Sequence, residues 1–136
     1  MIGDFRQGTE YSLADIKSAL KIGGGFLARG INIRGRYPNC EYVVLLSKDD
    51  GPYTDTWDGK VLKYCGEGLH GDQEFTRGNK VLAEQKAGRY PIYVFRKERE
   101  ESGYTYLGEF DVHGSEEVSH EHRKIIVFSL QKRLTA

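Results

Sequence analysis

The sequence has only two cysteines in 136 residues, Cys40 and Cys65. That excludes a disulfide framework, and the absence of any C-x-x-C pair removes the commonest thiolate metal sites. Both read as free, buried thiols of a reducing compartment. Long apolar runs are missing too. None approaches the roughly 18 residues needed to span a membrane. The N-terminus, MIGDFRQGTEYS, lacks a basic-then-apolar signal region, so a cytoplasmic location is expected. Nor is there an excess of either charge, with 20 basic and 20 acidic residues. That balance counts mildly against a nucleic-acid binder, because phosphate neutralisation favours a basic surface. A neutral chain can still carry one positive face. Its candidates are Arg29, Arg34 and Arg36 in RGINIRGR, with Arg77 and Lys80 in TRGNK.

Catalytic signatures are equally scarce. There is no H-E-x-x-H helix and no G-x-S-x-G elbow. GGGF and GEGLHG are glycine-rich, but neither ends in the Lys-Ser or Lys-Thr of a phosphate-binding loop. Cys65 has His70 nearby, yet Glu67 and Asp72 surround it, which opposes a thiolate. His120 and His122 fall on one side of an extended segment without a spaced third ligand. No metal or cofactor is expected. The nearest approach to a nuclease set is Asp72, Glu74 and Lys80, spread over a loop and a helix.

What is present is one domain's worth of helix and strand patterns spanning 1–136. YSLADIKSAL reads as a helix with Ser12 as cap, and GGG at Gly23 to Gly25 should end it. TRGNKVLAEQKAG reads as a second, from an N-cap at Thr76 to a stop at Gly88. CEYVVLLS, KVLKYCG, YPIYVFRK, YTYLGEFDV and RKIIVFSLQ are rich in β-branched and aromatic residues and read as strands. ERESG reads as a hairpin loop and HGSEEVSHEH as a long polar loop. Without regular βαβ alternation the pattern fits an α+β fold: a curled, mostly antiparallel β-barrel with two flanking helices.

The stretch YTDTWDGKVLKYCGEG crowds rings and carboxylates around one turn and one strand. Tyr53, Trp57 and Tyr64 are separated by Asp55 and Asp58. Stacking rings with a carboxylate between them suit a planar ligand, because a cytosine offers its N4 amino group to such an acceptor. The competing reading makes Trp57 and Tyr64 core and the aspartates turn formers, since Asp-Gly favours tight turns.

These residues, together with the segments YCGEGLHGDQEFTRGNK, YPIYVFRK, YTYLGEFDV and RKIIVFSL, resemble the SRA (YDG) domain. They are most like the SRA-like module of HNH-type, modification-dependent restriction endonucleases. The resemblance runs from about Tyr11 to Arg133. It implies a PUA-like fold that binds duplex DNA carrying 5-methylcytosine or 5-hydroxymethylcytosine and extrudes the modified base into an aromatic pocket. Tyr64 then matches the pocket tyrosine, Tyr53 the second stacking ring and Asp55 the carboxylate that reads the base, with Trp57 and Asp58 as rivals for those roles. Cys65 and Gly66 would line the modified face. Arg29, Arg34, Arg77, Asn79 and Lys80 would touch DNA. The module itself would not be an enzyme, and any nuclease would be a fused or separate partner. Two other readings stay open. One is a YTH- or EVE-type reader of modified RNA or single-stranded bases, and the other is a small nuclease or nucleoside hydrolase.

Overall fold

The structure, a computed structural model, describes residues 4–20, 30–36, 39–48, 55–68, 71–85, 90–98 and 102–133. The chain opens with β1 (Glu10–Tyr11) and helix α1 (Leu13–Leu20), followed by β2 (Ile31–Arg36), β3 (Asn39–Lys48), β4 (Thr56–Trp57) and β5 (Val61–Cys65). Helix α2 (Arg77–Ala83), β6 (Ile92–Lys97), β7 (Tyr104–His120) and β8 (Arg123–Lys132) complete it. The strands make one sheet in the order β2-β3-β6-β7-β8-β5-β4, with β1 on β7. Every pairing is antiparallel except β3 with β6. The α+β, mostly antiparallel reading holds. Among the described residues, however, β2 and β4 do not pair, so the sheet is curled and open rather than a closed barrel.

The parallel pair lies inside the sheet, between β2 and β7, and its residues are apolar on both faces. Val43 and Leu45 of β3 join Ile92 and Val94 of β6 in the inner cluster, with Leu62, Tyr64, Phe110, Phe128 and Leu130. The intervening Val44, Leu46, Tyr93 and Phe95 belong to the outer cluster, which α1 covers through Ile16 and Leu20. Two-sided burial with period two gives an unbroken apolar run, and this is what makes YVVLLS legible as a strand. Curling brings β5 across from β3: the Tyr64 hydroxyl lies 3.4 Å from the Leu46 carbonyl, to which it donates. Helix α2 packs Val81 and Leu82 on the inner cluster.

Helix α1 begins as expected, with the Ser12 hydroxyl accepting from the Asp15 N–H at 3.1 Å. Thr76 stands at the N-cap of α2 in extended geometry but its side chain makes no cap bond. The expected stops, Gly23 to Gly25 and Gly88, lie outside the described residues. Two expectations are overturned. The segment GGGFLARGINIRGR is expected to supply a DNA-facing loop through Arg29 and Arg34, but its residues 31–36 form β2, paired with β3. HGSEEVSHEH was expected to be a loop, but residues 113–120 continue β7 and pair with β8 as far as His120 opposite Arg123. Ladder hydrogen bonds hold this exposed ribbon without any need for an apolar face. His120 therefore ends β7, and His122 lies within the tight turn that follows, where Glu121 and His122 both have positive φ, 48° and 67°.

Candidate nucleic-acid interface

The inner face of the sheet ends in polar groups where its apolar residues stop. Ser47 follows Val43 and Leu45 on β3, and Arg96 follows Ile92 and Val94 on β6; the register sets the two side by side. Asp55 lies against them at the start of the strand pair β4–β5. It is 8% exposed. Its Oδ2 accepts from the Ser47 hydroxyl at 2.9 Å and its Oδ1 from the Cys65 N–H at 3.0 Å. Arg96 Nη1 donates to Ser47 Oγ at 2.7 Å and Nη2 to the Asp55 carbonyl at 3.4 Å. Burial raises the Asp55 carboxyl above its ordinary range, while the Cys65 N–H, Ser47, Arg96 and the Lys48 N–H pull it back. Such a carboxylate, desolvated but ringed by donors, is a strong acceptor for a further N–H.

Tyr64, next to Cys65, is 4% exposed. Burial first, then the carboxylates of Asp55 and Glu67, lift its hydroxyl well above the usual range. It is thus a neutral ring fixed in the core. The Cys65 thiol is pushed up to about 11 by burial and by Asp55, so at neutral pH it is a small neutral side chain.

Gly66 continues the strand end and allows a close approach that a side chain would block. A Cβ there would lie 2.7 Å from Asn79 Oδ1 and 3.0 Å from Gln73 Oε1. Asn79 accepts from the Glu67 N–H at 2.8 Å and donates to the carbonyls of Glu67 and Glu74 at 3.0 and 2.9 Å. Gln73 donates to the Gly66 and Gly68 carbonyls and accepts from the Ile126 N–H. Arg123 of β8 donates to the Gly68 and Gly71 carbonyls. Together these bonds fix the backbone on both sides of residues 69–70. Beside it opens a polar cleft of about 600 Å³, lined by Glu67, Asp72, Glu74 and Arg77 among others.

The two rival carboxylates separate clearly. Asp58 is exposed and accepts from the Lys60 and Val61 N–H groups, both at 2.8 Å. It is a turn former, and those backbone bonds hold its carboxyl below the ordinary range. Trp57 packs on the inner cluster with its ring edge-on to Phe110 at 5.4 Å. Of the rivals, only Asp55 meets Tyr64 and Cys65. Tyr53 and Arg29 lie outside the described residues, as does His70.

Among the expected DNA contacts, Asn79 is 1% exposed and its amide is committed inside the protein, which corrects its place on that surface. Arg77 and Lys80 are exposed at the start of α2, and Arg77 has φ 49°, outside the usual range for a side chain. Arg34 is exposed on β2 and lies 3.6 Å from Glu41. The nuclease candidates do not form a metal site. Asp72 and Glu74 line the cleft without Lys80, Asp72 accepts from the Lys124 N–H at 2.7 Å, and no three His, Cys, Asp or Glu side chains are placed to hold a metal ion among the described residues.

Sequence reasoning missed Ser47, Arg96, Gln73 and Phe75. A serine ending VVLL and an arginine ending YVF were the available signals for the first two, since a polar residue that ends an inner-face series needs a partner. Phe75 is 43% exposed, which only the structure reveals.

Comparison with known proteins places these features in context. Residues 6–133 match the family model described as "ScoMcrA-like, SRA domain". No curated protein matches the chain. Among solved structures, the chain is similar to the SRA domain of SUVH5 in its complex with fully methylated CG DNA. The identity is 23% and the TM-score 0.76, over 98% of this chain and 92% of that one. The same domain bound to fully hydroxymethylated CG DNA gives 23% and 0.77, over 98% and 94%. SUVH6 of Arabidopsis thaliana, in complex with SAM, gives 22% and 0.69, over 98% of this chain and 27% of that one.

Proposed function

This chain belongs to the ScoMcrA-like SRA domain family, and from that premise we propose that it reads modified cytosine, 5-methylcytosine or 5-hydroxymethylcytosine, in duplex DNA. The observation that carries the reading is the buried Asp55 carboxylate set between the Cys65 N–H and the Ser47 hydroxyl, beside the fixed ring of Tyr64. DNA complexes of the similar SUVH5 domain with methylated and hydroxymethylated CG support it. Here an extruded cytosine presents its N4 amino group to Asp55. Tyr64 supplies one wall, and Tyr53 is the second ring the reading calls for. The thiol of Cys65 is the small neutral group for the modified face. Extrusion costs a few kcal/mol of stacking and pairing. A stacking ring returns about 1–3 kcal/mol per base, and a charge-assisted hydrogen bond about 1.5–3 kcal/mol. The methyl itself adds only about 0.8 kcal/mol, a several-fold preference. Arg34, Arg77 and Lys80, with Arg29, contact phosphates, and that share of the affinity falls with salt. Phe75 is the exposed apolar ring suited to enter a base step. A nuclease that acts on the recognised DNA is supplied by a fused or separate partner, and the domain works inside the cell where that DNA lies.

The test is binding to matched duplexes with and without 5-methylcytosine or 5-hydroxymethylcytosine, with methylated RNA as competitor. Preference for the modified duplexes is expected; equal affinity for all of them, or displacement by the RNA, refutes the reading. Conservative variants are needed at the pocket. Tyr64→Ala would empty a buried ring and cost about 3–5 kcal/mol of stability, whereas Tyr64→Phe keeps the wall.

A further inference from the structure

Arg96 is 4% exposed at the end of an otherwise apolar strand, an expensive place for a guanidinium. Its Nε meets Glu98 at 2.8 Å, Nη1 meets Ser47 Oγ at 2.7 Å and Nη2 meets the Asp55 carbonyl at 3.4 Å. Guanidinium groups only donate. Arg96 therefore occupies a lone pair of the Ser47 oxygen, and the Ser47 proton must point elsewhere. It points to Asp55 Oδ2, 2.9 Å away. On the opposite side the Cys65 N–H holds Oδ1 at 3.0 Å. The Lys48 N–H adds a third donor, and a carboxylate, with about four acceptor sites, keeps room for one further N–H.

We propose that Arg96 and Ser47 are positioning residues: Arg96 orients Ser47, and Ser47 holds Asp55 as a fixed hydrogen-bond acceptor, so that the pocket takes pyrimidines with an amino group at C4 and refuses those with a keto oxygen. This rests on the reading of Asp55 as the base-facing group. Its consequence concerns the hardest competitor. Thymine carries the same 5-methyl group as 5-methylcytosine and differs on its pairing edge. In a G·T mismatch it also leaves the helix at lower cost than a paired base. Neither the stacking rings nor a methyl-sized space can reject it. An oriented acceptor facing a keto oxygen does, because two acceptors then meet without a proton.

The groups that face Asp55 come from three strands: Ser47 and the Lys48 N–H from β3, Tyr64 and Cys65 from β5, and Arg96, with Glu98 beyond it, from β6. Of these, Ser47 and Arg96 both favour the charged carboxylate. Removing the Ser47 hydroxyl raises the Asp55 midpoint further.

Two measurements on Ser47→Ala, Ser47→Thr and Arg96→Gln test the relay. One is titration of the Asp55 carboxyl carbon by NMR in the free protein. The other is the affinity ratio between a 5-methylcytosine duplex and the same duplex with thymine opposite guanine. In Ser47→Ala we expect a higher midpoint and a ratio reduced roughly tenfold, the worth of one charge-assisted bond. Ser47→Thr keeps the hydroxyl and should restore both. Arg96→Gln should shift the midpoint in the same direction, with the amide spectrum reporting whether it folds; if it does not, the serine pair decides. An unchanged midpoint and ratio in Ser47→Ala overturns the relay. A shifted midpoint in Ser47→Ala, with a parent that does not prefer 5-methylcytosine to thymine, instead overturns the base-facing role of Asp55 and the specificity device with it.

Discussion

Replacing Asp55 by asparagine separates recognition from stability at one buried atom pair. The substitution keeps shape and volume. Its carbonyl can still accept from the Cys65 N–H and its amide can donate to Ser47 Oγ, the two groups that hold the carboxylate at 3.0 and 2.9 Å. What it loses is the charge and, on the proposed reading, the acceptor offered to the base. The N4 amino group of cytosine would then meet an amide N–H. Losing one charge-assisted bond removes about 1.5–3 kcal/mol, which is roughly tenfold to a little over a hundredfold in affinity. Stability should move differently. Burial places the folded Asp55 carboxyl above its ordinary value of 3.8. A raised acid contributes stability that is fully present below the unfolded value and is lost as pH rises through the folded value. The parent therefore carries more of a desolvated charge at pH 7.5 than at pH 4, whereas Asp55→Asn carries none at either. The melting temperature of Asp55→Asn minus that of the parent should be more positive at pH 7.5 than at pH 4, by calorimetry. Fluorescence anisotropy with a 5-methylcytosine duplex at pH 7.5 should show the affinity loss. Parent-like binding, or a melting difference that runs the opposite way with pH, refutes the reasoning and makes Asp55 a structural residue.

Further predictions concern the ring and the thiol beside it. A Cβ on Gly30 would lie 2.1 Å from the Tyr64 hydroxyl oxygen and 3.4 Å from the ring carbon that bears it. Gly30→Ala should therefore destabilise by about 1–3 kcal/mol through overpacking, measured by urea unfolding. Adding Tyr64→Phe removes the clashing atom, so the double variant should recover much of the loss; strictly additive costs would show that the two residues do not meet. The Cys65 thiol, held near 11 by burial and Asp55, should react slowly with a thiolate-directed alkylating agent at pH 8 in a Cys40→Ser background. Asp55→Asn should speed that reaction, and an equal rate in both would disprove the electrostatic link.

The parts of this protein that sequence could reach are those where burial and backbone geometry give the same pattern. β3 and β6 are apolar on both faces, so their residues announce strands without any partner being known. The end of β7 has no such signal. Residues 113–117 are exposed on both faces of the ribbon, and a strand held only by its ladder looks in sequence like a polar loop. The same distinction runs through the site. Asp58 was legible as a turn residue because Asp-Gly chemistry is local, and its two backbone bonds reach only two and three residues along the chain. Asp55 was not, because what distinguishes it is distant. Ser47 is eight residues before it, Cys65 ten after, and Arg96 reaches Ser47 across 49 residues. Local chemistry therefore leaves two aspartates as equals, and the register of one parallel strand pair gives Asp55 its distant partners by setting Ser47 beside Arg96. A one-residue slip of either strand would turn its polar side chain to the outer face and part Ser47 from Arg96, breaking the chain of bonds that reaches Asp55. The apolar residues 43–46 and 92–95, which touch no candidate ligand, are what prevents that slip, so the specificity proposed for the pocket depends on the packing of the core.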